Sequence, residues 1–263
     1  MTSTQVSKKQ LDELKKWIYS SSGIHFRDHN EDRLQATLMY RMEMAGLDFA
    51  TYRRRLAEDP KALATLIESV TAFPASILRT NQVQDDAVSH LISHPQRDEK
   101  MLKIWCAACT IGDEPYSLAI QLHEAGISFA MLATDIDHPI FTMAAKGIYP
   151  RESVKHLSEE LVQMYFQEGD GENRLQVKDE LRQFLRFRHF NPAKHSFPRI
   201  KFDAILFQNL LIYFDDPNSK RLMDEFHNCL APHGIFGIGD TESLDRLKHD
   251  FKPIPDASNL FTA

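Results

Sequence analysis

Four groups of residues in this chain have types and spacings that could carry chemistry. Cys106 and Cys109 form a CxxC within IWCAACTIGDEPYSLAI, a spacing used by metal and dithiol redox sites. His90 and His94 lie four apart, a zinc-binding spacing on a helix face. Gly112, followed by Asp113 and Glu114, reads as a turn that opens a helix, where backbone N–H groups can meet a ligand. Asp135, in ATDID about twenty residues further on, closes an apolar run at the place where an acid takes ribose hydroxyls.

The first two groups fall away on inspection. Zinc sites usually need four ligands, no second CxxC exists, and Cys229 stands alone in a helix-like segment. A redox dithiol opens a helix, whereas Cys106 falls inside the apolar run. The cysteines therefore read as small buried residues. The histidines stand in HLISH, without the glutamate of HExxH, and Pro95 follows at once. Ser117 and Ser243 have no readable His/Asp arrangement, so nucleophilic catalysis has no support. The last two groups agree with each other. A turn with one glycine is not the GxGxxG dinucleotide fingerprint. Asp113 and Glu114 would repel a phosphate and suit a cationic end, while Asp135 suits a ribose. A nucleoside without phosphates and with an amino-acid tail satisfies both conditions, and S-adenosylmethionine is such a molecule.

The elements that must position these residues follow from periodicity. KKQLDELKKWIYSSSG, EDRLQATLMYRMEMAGL, DFATYRRRLAED and PKALATLIESV carry apolar residues at helical spacing, with Gly23, Gly46 and the Asp59-Pro60 pair as boundaries. From about residue 100, apolar runs that read as strands alternate with helices. MLKIWCAAC, ISFAMLATDID, FDAILFQNLLIYF and GIFGIGDTES are the strands. EPYSLAIQLHEAG, HPIFTMAAKGIY and NSKRLMDEFHNCLAPHG are the helices. That alternation predicts an open, mostly parallel α/β sheet with its ligand at the carboxyl ends of the strands. The expected division is a helical domain over 1–82 and an α/β domain over 83–263. A turn-rich EGDGEN predicts a small β-hairpin inserted at about 166–188.

Composition narrows the class. The 263 residues are 43% hydrophobic and 26% charged, ordinary values for a globular protein. No apolar run approaches the ~18 residues of a membrane span. The start, MTSTQVSKKQLDELKKW, has no apolar signal region, so the cytoplasm is the expected location. Residues 1–95 hold 12 Lys+Arg against 12 Asp+Glu, and the net charge of -6 comes from the remainder. Neither part has the basic excess of a nucleic-acid binder.

Four motifs, in order, resemble the chemotaxis receptor methyltransferases, the CheR-type protein-glutamate O-methyltransferases. CAACTIGDEPYSLAI is similar to that family's CSTGEEPYSLA-type motif, and ATDIDHPIFTMAAKGIY to its SDID…A…GIY segment. FDAILFQNLLIYF resembles FDxIxCRNVxIYF, and LAPHGIFGIGDTESL resembles LxPGGxLxxGHSExL. The resemblance covers roughly residues 10–262. It implies a helical N-terminal domain, a Rossmann-like S-adenosylmethionine-dependent methyltransferase domain with a small inserted β-subdomain, and methylation of chemoreceptor glutamates. It implies S-adenosylmethionine as cofactor, S-adenosylhomocysteine as product, and no metal. By motif position it implies that Arg79 sits near the methionine end and the reaction centre, and that Glu114 and Asp135 hold the cofactor. It further implies Asn191 and Pro192 at the adenine, Phe207, Gln208 and Asn209 on the strand that closes the pocket, and Tyr213 lining the transfer site. The partner implied is the cytoplasmic domain of a chemoreceptor. In some members a receptor C-terminal peptide adds to the inserted hairpin. A monomer is expected.

The sequence also departs from the family pattern. Where the family has TxNxTxFFRE, Thr71 to Thr80 read TAFPASILRT, and among the expected polar contacts Arg79 alone keeps its type. Gln208 replaces an arginine and Asp240 a histidine. The second helix has Thr37, Tyr40 and Glu43 at positions where the family is basic. Two readings follow. One is an active methyltransferase with an altered pocket rim or receptor preference. The other is a catalytically impaired relative that serves as a binding or regulatory module.

Overall fold

The computed structural model describes residues 6–26, 28–71, 77–78, 81–136 and 144–263. The run expected to carry cofactor contacts lies largely outside these residues, and Arg79 with it.

Four helices come first: α1 (Lys8–Ser22), α2 (Asp28–Ala45), α3 (Phe49–Glu58) and α4 (Pro60–Thr71). Ser7 and Gln10 form a reciprocal capping box on α1, satisfying amides that the first turn leaves open. Asp48 caps α3 through the amide of Thr51. Leu11, Leu14, Ile18, Leu34, Leu38, Met42, Leu56, Leu66 and Val70 bury their side chains in one core between the helices. Tyr213, from the far half of the chain, packs into that same core.

α5 (Gln82–Ile92) belongs to the α/β unit by packing, since Val83, Ala87 and Leu91 are buried in its core. Then follow β1 (Leu102–Ala107), α6 (Asp113–Glu124), β2 (Phe129–Asp135), β3 (Ile148–Pro150), α7 (Glu159–Tyr165), β4 (Phe166–Glu168) and β5 (Arg174–Val177). The chain continues through α8 (Asp179–Arg182), β6 (Leu185–His189), β7 (Phe202–Phe207), α9 (Asp216–Cys229), β8 (Leu230–Ile238), β9 (Lys252–Pro253) and β10 (Leu260–Thr262). Seven strands form one sheet in the order β6-β2-β1-β7-β8-β10-β9. The pairs β1/β2, β1/β7, β2/β6 and β7/β8 are parallel, and β10 runs antiparallel to β8 and β9. The strand order reverses at β1, with β2 on one side and β7 on the other. That is the topological switch point, where open α/β sheets bind ligands.

Three segments differ from the sequence expectation. The inserted sheet has three strands, β3-β5-β4, so Ile148–Pro150 joins the expected hairpin. Leu185–His189, expected at the end of the insert, pairs instead with β2 in the main sheet. α9 stops at Cys229, and Gly234 lies inside β8 rather than ending the helix. The β7/β8 register shifts between Phe202 and Ala204. A Cβ on Gly234 would meet the Phe202 carbonyl at 2.8 Å, so the glycine permits the bulge rather than a helix stop. Half of the segment HPIFTMAAKGIY, residues 138–143, lies outside the described residues, and Ile148 and Tyr149 at its end are in β3 rather than a helix.

The two units are clasped at the end of α1. Gly23, in left-handed conformation at φ 81°, sits where an added Cβ would lie 2.4 Å from Ala193 Cβ. Asn191 Nδ2 donates to the Ser22 carbonyl at 3.0 Å, and His25 N donates to the Tyr213 carbonyl at 2.7 Å. Tyr19 OH donates to Asp215 Oδ2 at 2.6 Å, and Lys194 Nζ donates to the Ser21 carbonyl.

Candidate cofactor and active site

A cavity of about 410 Å³ opens over the carboxyl ends of β6, β2, β1, β7 and β8. That volume is in the range of small-molecule sites. Each strand delivers residues to it. Ala107, Ala108 and Thr110 come from β1 and its loop, Thr134 to Ile136 from β2, Phe190 to Pro192 from beyond β6, Gln208 to Leu210 from beyond β7, and Asp240 with Thr241 from beyond β8.

The loop after β1 curls back on itself. Ala108, Thr110 and Gly112 all have positive φ, at 80°, 44° and 89°. For the two non-glycine residues that conformation costs roughly 1–2 kcal/mol each. Fixed partners hold it there. Ala108 N and Cys109 N donate to the Thr134 carbonyl at 2.8 and 2.9 Å, and Thr110 N donates to Asp135 Oδ2 at 2.8 Å. Gly112 caps α6, and a Cβ there would lie 2.9 Å from Ala144 Cβ.

Glu114 enters the cavity wall from the first turn of α6, beside Asp113. Burial, reinforced by Asp113 and Glu242, pushes the Glu114 carboxyl up to about 8. A group held neutral in this way favours a cationic neighbour, which restores its charge. Cys106 and Cys109 are both buried, and burial raises both thiols far above their ordinary range. Cys106 Sγ lies 3.7 Å from Met131 Sδ, and this pair of cysteines is core. Among the described residues no group of three His, Cys, Asp or Glu is placed to hold a metal.

The wall beyond β7 rests on a buried carboxylate. Glu242 Oε2 accepts from Asn209 N at 2.9 Å and Gly239 N at 2.8 Å, and Oε1 accepts from Ile212 N at 3.3 Å. Burial raises the Glu242 pKa and these amides partly offset the rise. The same bonds hold Asn209 at φ 58° and present it to the cavity. Gln208, 4% exposed, lies just before it. Asn81 caps α5 by accepting from Gln84 N through Oδ1, so its Nδ2 donates to Gln208 Oε1 at 3.0 Å. Gln208 Nε2 is buried and has no hydrogen-bond partner among the described residues. An unsatisfied buried donor costs about 1–3 kcal/mol.

Of the residues expected at the site, Glu114, Asp135, Asn191, Pro192, Gln208 and Asn209 line this one cavity. Two do not. Phe207 is fully buried, with its ring 4.8 Å from that of Phe226, so it supports the wall from behind. Tyr213 is turned into the helical core, edge-on to Phe26 at 6.0 Å, and is not part of the cavity lining. Both stand in an apolar run whose alternation does not say which side faces a ligand. Asn191 reaches the cavity, but its side-chain amide bridges Ser22 and Ala193, which makes it a joint between the two units. Thr110, Asn81, Gln84 and Glu242 went unassigned in the sequence reading. Thr110 and Glu242 lay within recognised motifs, but the contacts that give Thr110, Asn81 and Glu242 their roles join residues 25 to 127 positions apart.

The donor set fits S-adenosylmethionine. Asp135 is fixed at the strand end where open α/β sheets take ribose hydroxyls, Glu114 and Asp113 suit an ammonium, and the loop after β1 has one glycine rather than a glycine-rich phosphate cradle. Comparison with known proteins agrees. The SAM-binding domain of CheR methyltransferases matches residues 70–259, and the all-alpha domain of CheR methyltransferases matches residues 9–71. Chemotaxis protein methyltransferase 2 of Pseudomonas aeruginosa is 28% identical over 251 residues, covering 92% of this chain and 89% of that protein. The chemotaxis protein methyltransferase of Escherichia coli is 30% identical over 244 residues, covering 89% of this chain and 84% of that protein. With these two domain matches spanning almost its whole length, the chain belongs to the CheR methyltransferase family.

Proposed function

We propose that this protein transfers the methyl group of S-adenosylmethionine to glutamate side chains in the cytoplasmic domain of chemoreceptors, as part of chemotactic adaptation. The observation that carries the reading is that Asp135, held by Thr110 N, and the half-buried Glu114 line one cavity at the switch point. When bound, S-adenosylmethionine supplies a methyl group activated by a sulfonium. The chain's own residues would do the rest by positioning. Asp135 would hold the ribose, Glu114 and Asp113 the ammonium, and Asn191 with Pro192 the adenine. A glutamate carboxylate is already ionised near neutral pH and is already a nucleophile, so orientation and exclusion of water matter more than a general base.

The reading places the protein in the cytoplasm as a monomer. β4 is an edge strand of the inserted sheet, and a receptor C-terminal peptide would add there. A second reading, a relative that binds without catalysis, is favoured by the burial of Tyr213 away from the cavity. Calorimetric titration with S-adenosylmethionine and S-adenosylhomocysteine, with Asp135→Ala alongside, tests the cofactor site. Transfer of labelled methyl groups to a receptor cytoplasmic fragment tests the activity. Cofactor binding without transfer to any receptor fragment would select the second reading, and no binding at millimolar ligand would overturn the first.

A further inference from the structure

The orphaned Nε2 of Gln208 has a direction imposed on it. Asn81 cannot reverse its amide, because Oδ1 is held by Gln84 N as the helix cap. Its Nδ2 therefore fixes Gln208 Oε1 as acceptor at 3.0 Å, which leaves Nε2 as a donor without a protein partner among the described residues. A second feature lies beside it. Asn81 is the N-cap of α5, an 11-residue helix, so the positive end of a helix dipole stands next to Gln208. Gln84, in the first turn of that helix, also lines the cavity.

The rest of the cavity restricts what this donor can meet. Asp113, Asp135 and Asp240 all line it and repel an anionic group. A ligand carboxylate is therefore favoured on the Gln208 side of the cavity, where a neutral donor and a helix N-terminus coincide. Asp135 ends β2 and Gln208 follows β7, with β1 between them, which separates the two residues by on the order of 10 Å across the strands. A ligand whose ribose is at Asp135 thus brings its opposite end, the amino-acid and transfer end, to Gln208.

We infer that the Gln208 side-chain amide, backed by the α5 N-terminus, donates to a ligand carboxylate oxygen and sets specificity at the transfer end of the cavity. This rests on the cofactor reading proposed above. Two carboxylates reach that end, the α-carboxylate of the cofactor and the side chain of the acceptor glutamate.

The experiment separates them with the full-length chain. Wild type, Gln208→Glu and Gln208→Leu are titrated with S-adenosylhomocysteine and with 5′-methylthioadenosine, which lacks the amino-acid tail. Methylation of a receptor cytoplasmic fragment is followed in parallel. Gln208→Glu keeps the acceptor for Asn81 and replaces the donor with a second carboxylate oxygen. If the donor serves the cofactor, Gln208→Glu weakens S-adenosylhomocysteine about tenfold or more and leaves 5′-methylthioadenosine within about twofold. If it serves the substrate, both ligands stay within about twofold and the KM for the fragment rises about tenfold or more. Either result supports the inference. Unchanged binding and kinetics in both variants would overturn it, as would equal weakening of the two ligands, which is the mark of a structural role. Failure of wild type to bind S-adenosylhomocysteine would sink the cofactor reading itself and this inference with it, whereas failure confined to the variants leaves the cofactor reading standing.

Discussion

Thr110 N donates to Asp135 Oδ2 at 2.8 Å, so the acid at the end of β2 also holds the strained loop at the end of β1. One side chain thereby positions two walls of the cavity. Asp135→Asn should act on both. A hydrogen bond to a charged acceptor contributes about 1.5–3 kcal/mol, so the free protein should lose an amount of that order in stability. Affinity for S-adenosylhomocysteine should fall by about tenfold or more if Asp135 holds the ribose as proposed, because the replacement exchanges a charged acceptor oxygen for an NH2. Denaturant unfolding and calorimetry check the two effects separately.

Glu114 gives a pH dependence of known sign. Burial pushes its carboxyl up to about 8 in the folded protein, above the usual carboxylate range. A raised pKa stabilises the fold most at low pH, below the unfolded value. That contribution is lost as pH rises from about 4.5 through about 8. A cationic ligand prefers the ionised form, so binding of S-adenosylmethionine should release a proton at pH 7 and tighten toward pH 9. Glu114→Gln should abolish the proton release and flatten the profile. Titration in buffers of different ionisation enthalpy measures the proton directly.

Glu242→Gln should loosen the wall beyond β7. Both oxygens accept from backbone amides, so either orientation of the glutamine amide turns its NH2 toward a donor. We expect a loss of about 2–4 kcal/mol in stability and weaker cofactor binding, since Asn209 would be released from its left-handed conformation. Full cofactor affinity in a destabilised variant would show that the wall tolerates the change.

Gly23 offers a test of the clasp between the two units. Gly23→Ala places a Cβ 2.4 Å from Ala193 Cβ at a φ of 81°. It should destabilise by about 1–3 kcal/mol through clash and strain together. Ala193→Gly in the same chain should restore the part due to the clash and leave the part due to φ. A double-mutant cycle on thermal unfolding separates the two.

The alternation of strands and helices, the switch-point position of the β1 loop and the placing of Asp135 were legible in the sequence, because each follows from local periodicity and turn chemistry. Gln208 and Asn81 meet across 127 positions and Glu242 reaches Asn209 across 33, and no local rule reveals such pairs. The helix expected to run to Gly234 stops at Cys229 because strand pairing with β7 captures Leu230 first. Tyr213 could be assigned to the transfer site by motif alone. In the structure its ring packs in the apolar core of the helical unit.

The clasp also sets an order of events during synthesis. Ser22 waits 169 residues for Asn191, and Tyr19 waits 196 for Asp215. At about 5–20 residues per second, the four helices leave the ribosome roughly 10–30 s before the loops that seat the end of α1 exist. Until then the Ser21 and Ser22 carbonyls lack the partners that seat them in the folded protein. A nascent chain arrested before residue 191 should therefore expose that tip to proteolysis, and one arrested well beyond residue 215 should protect it.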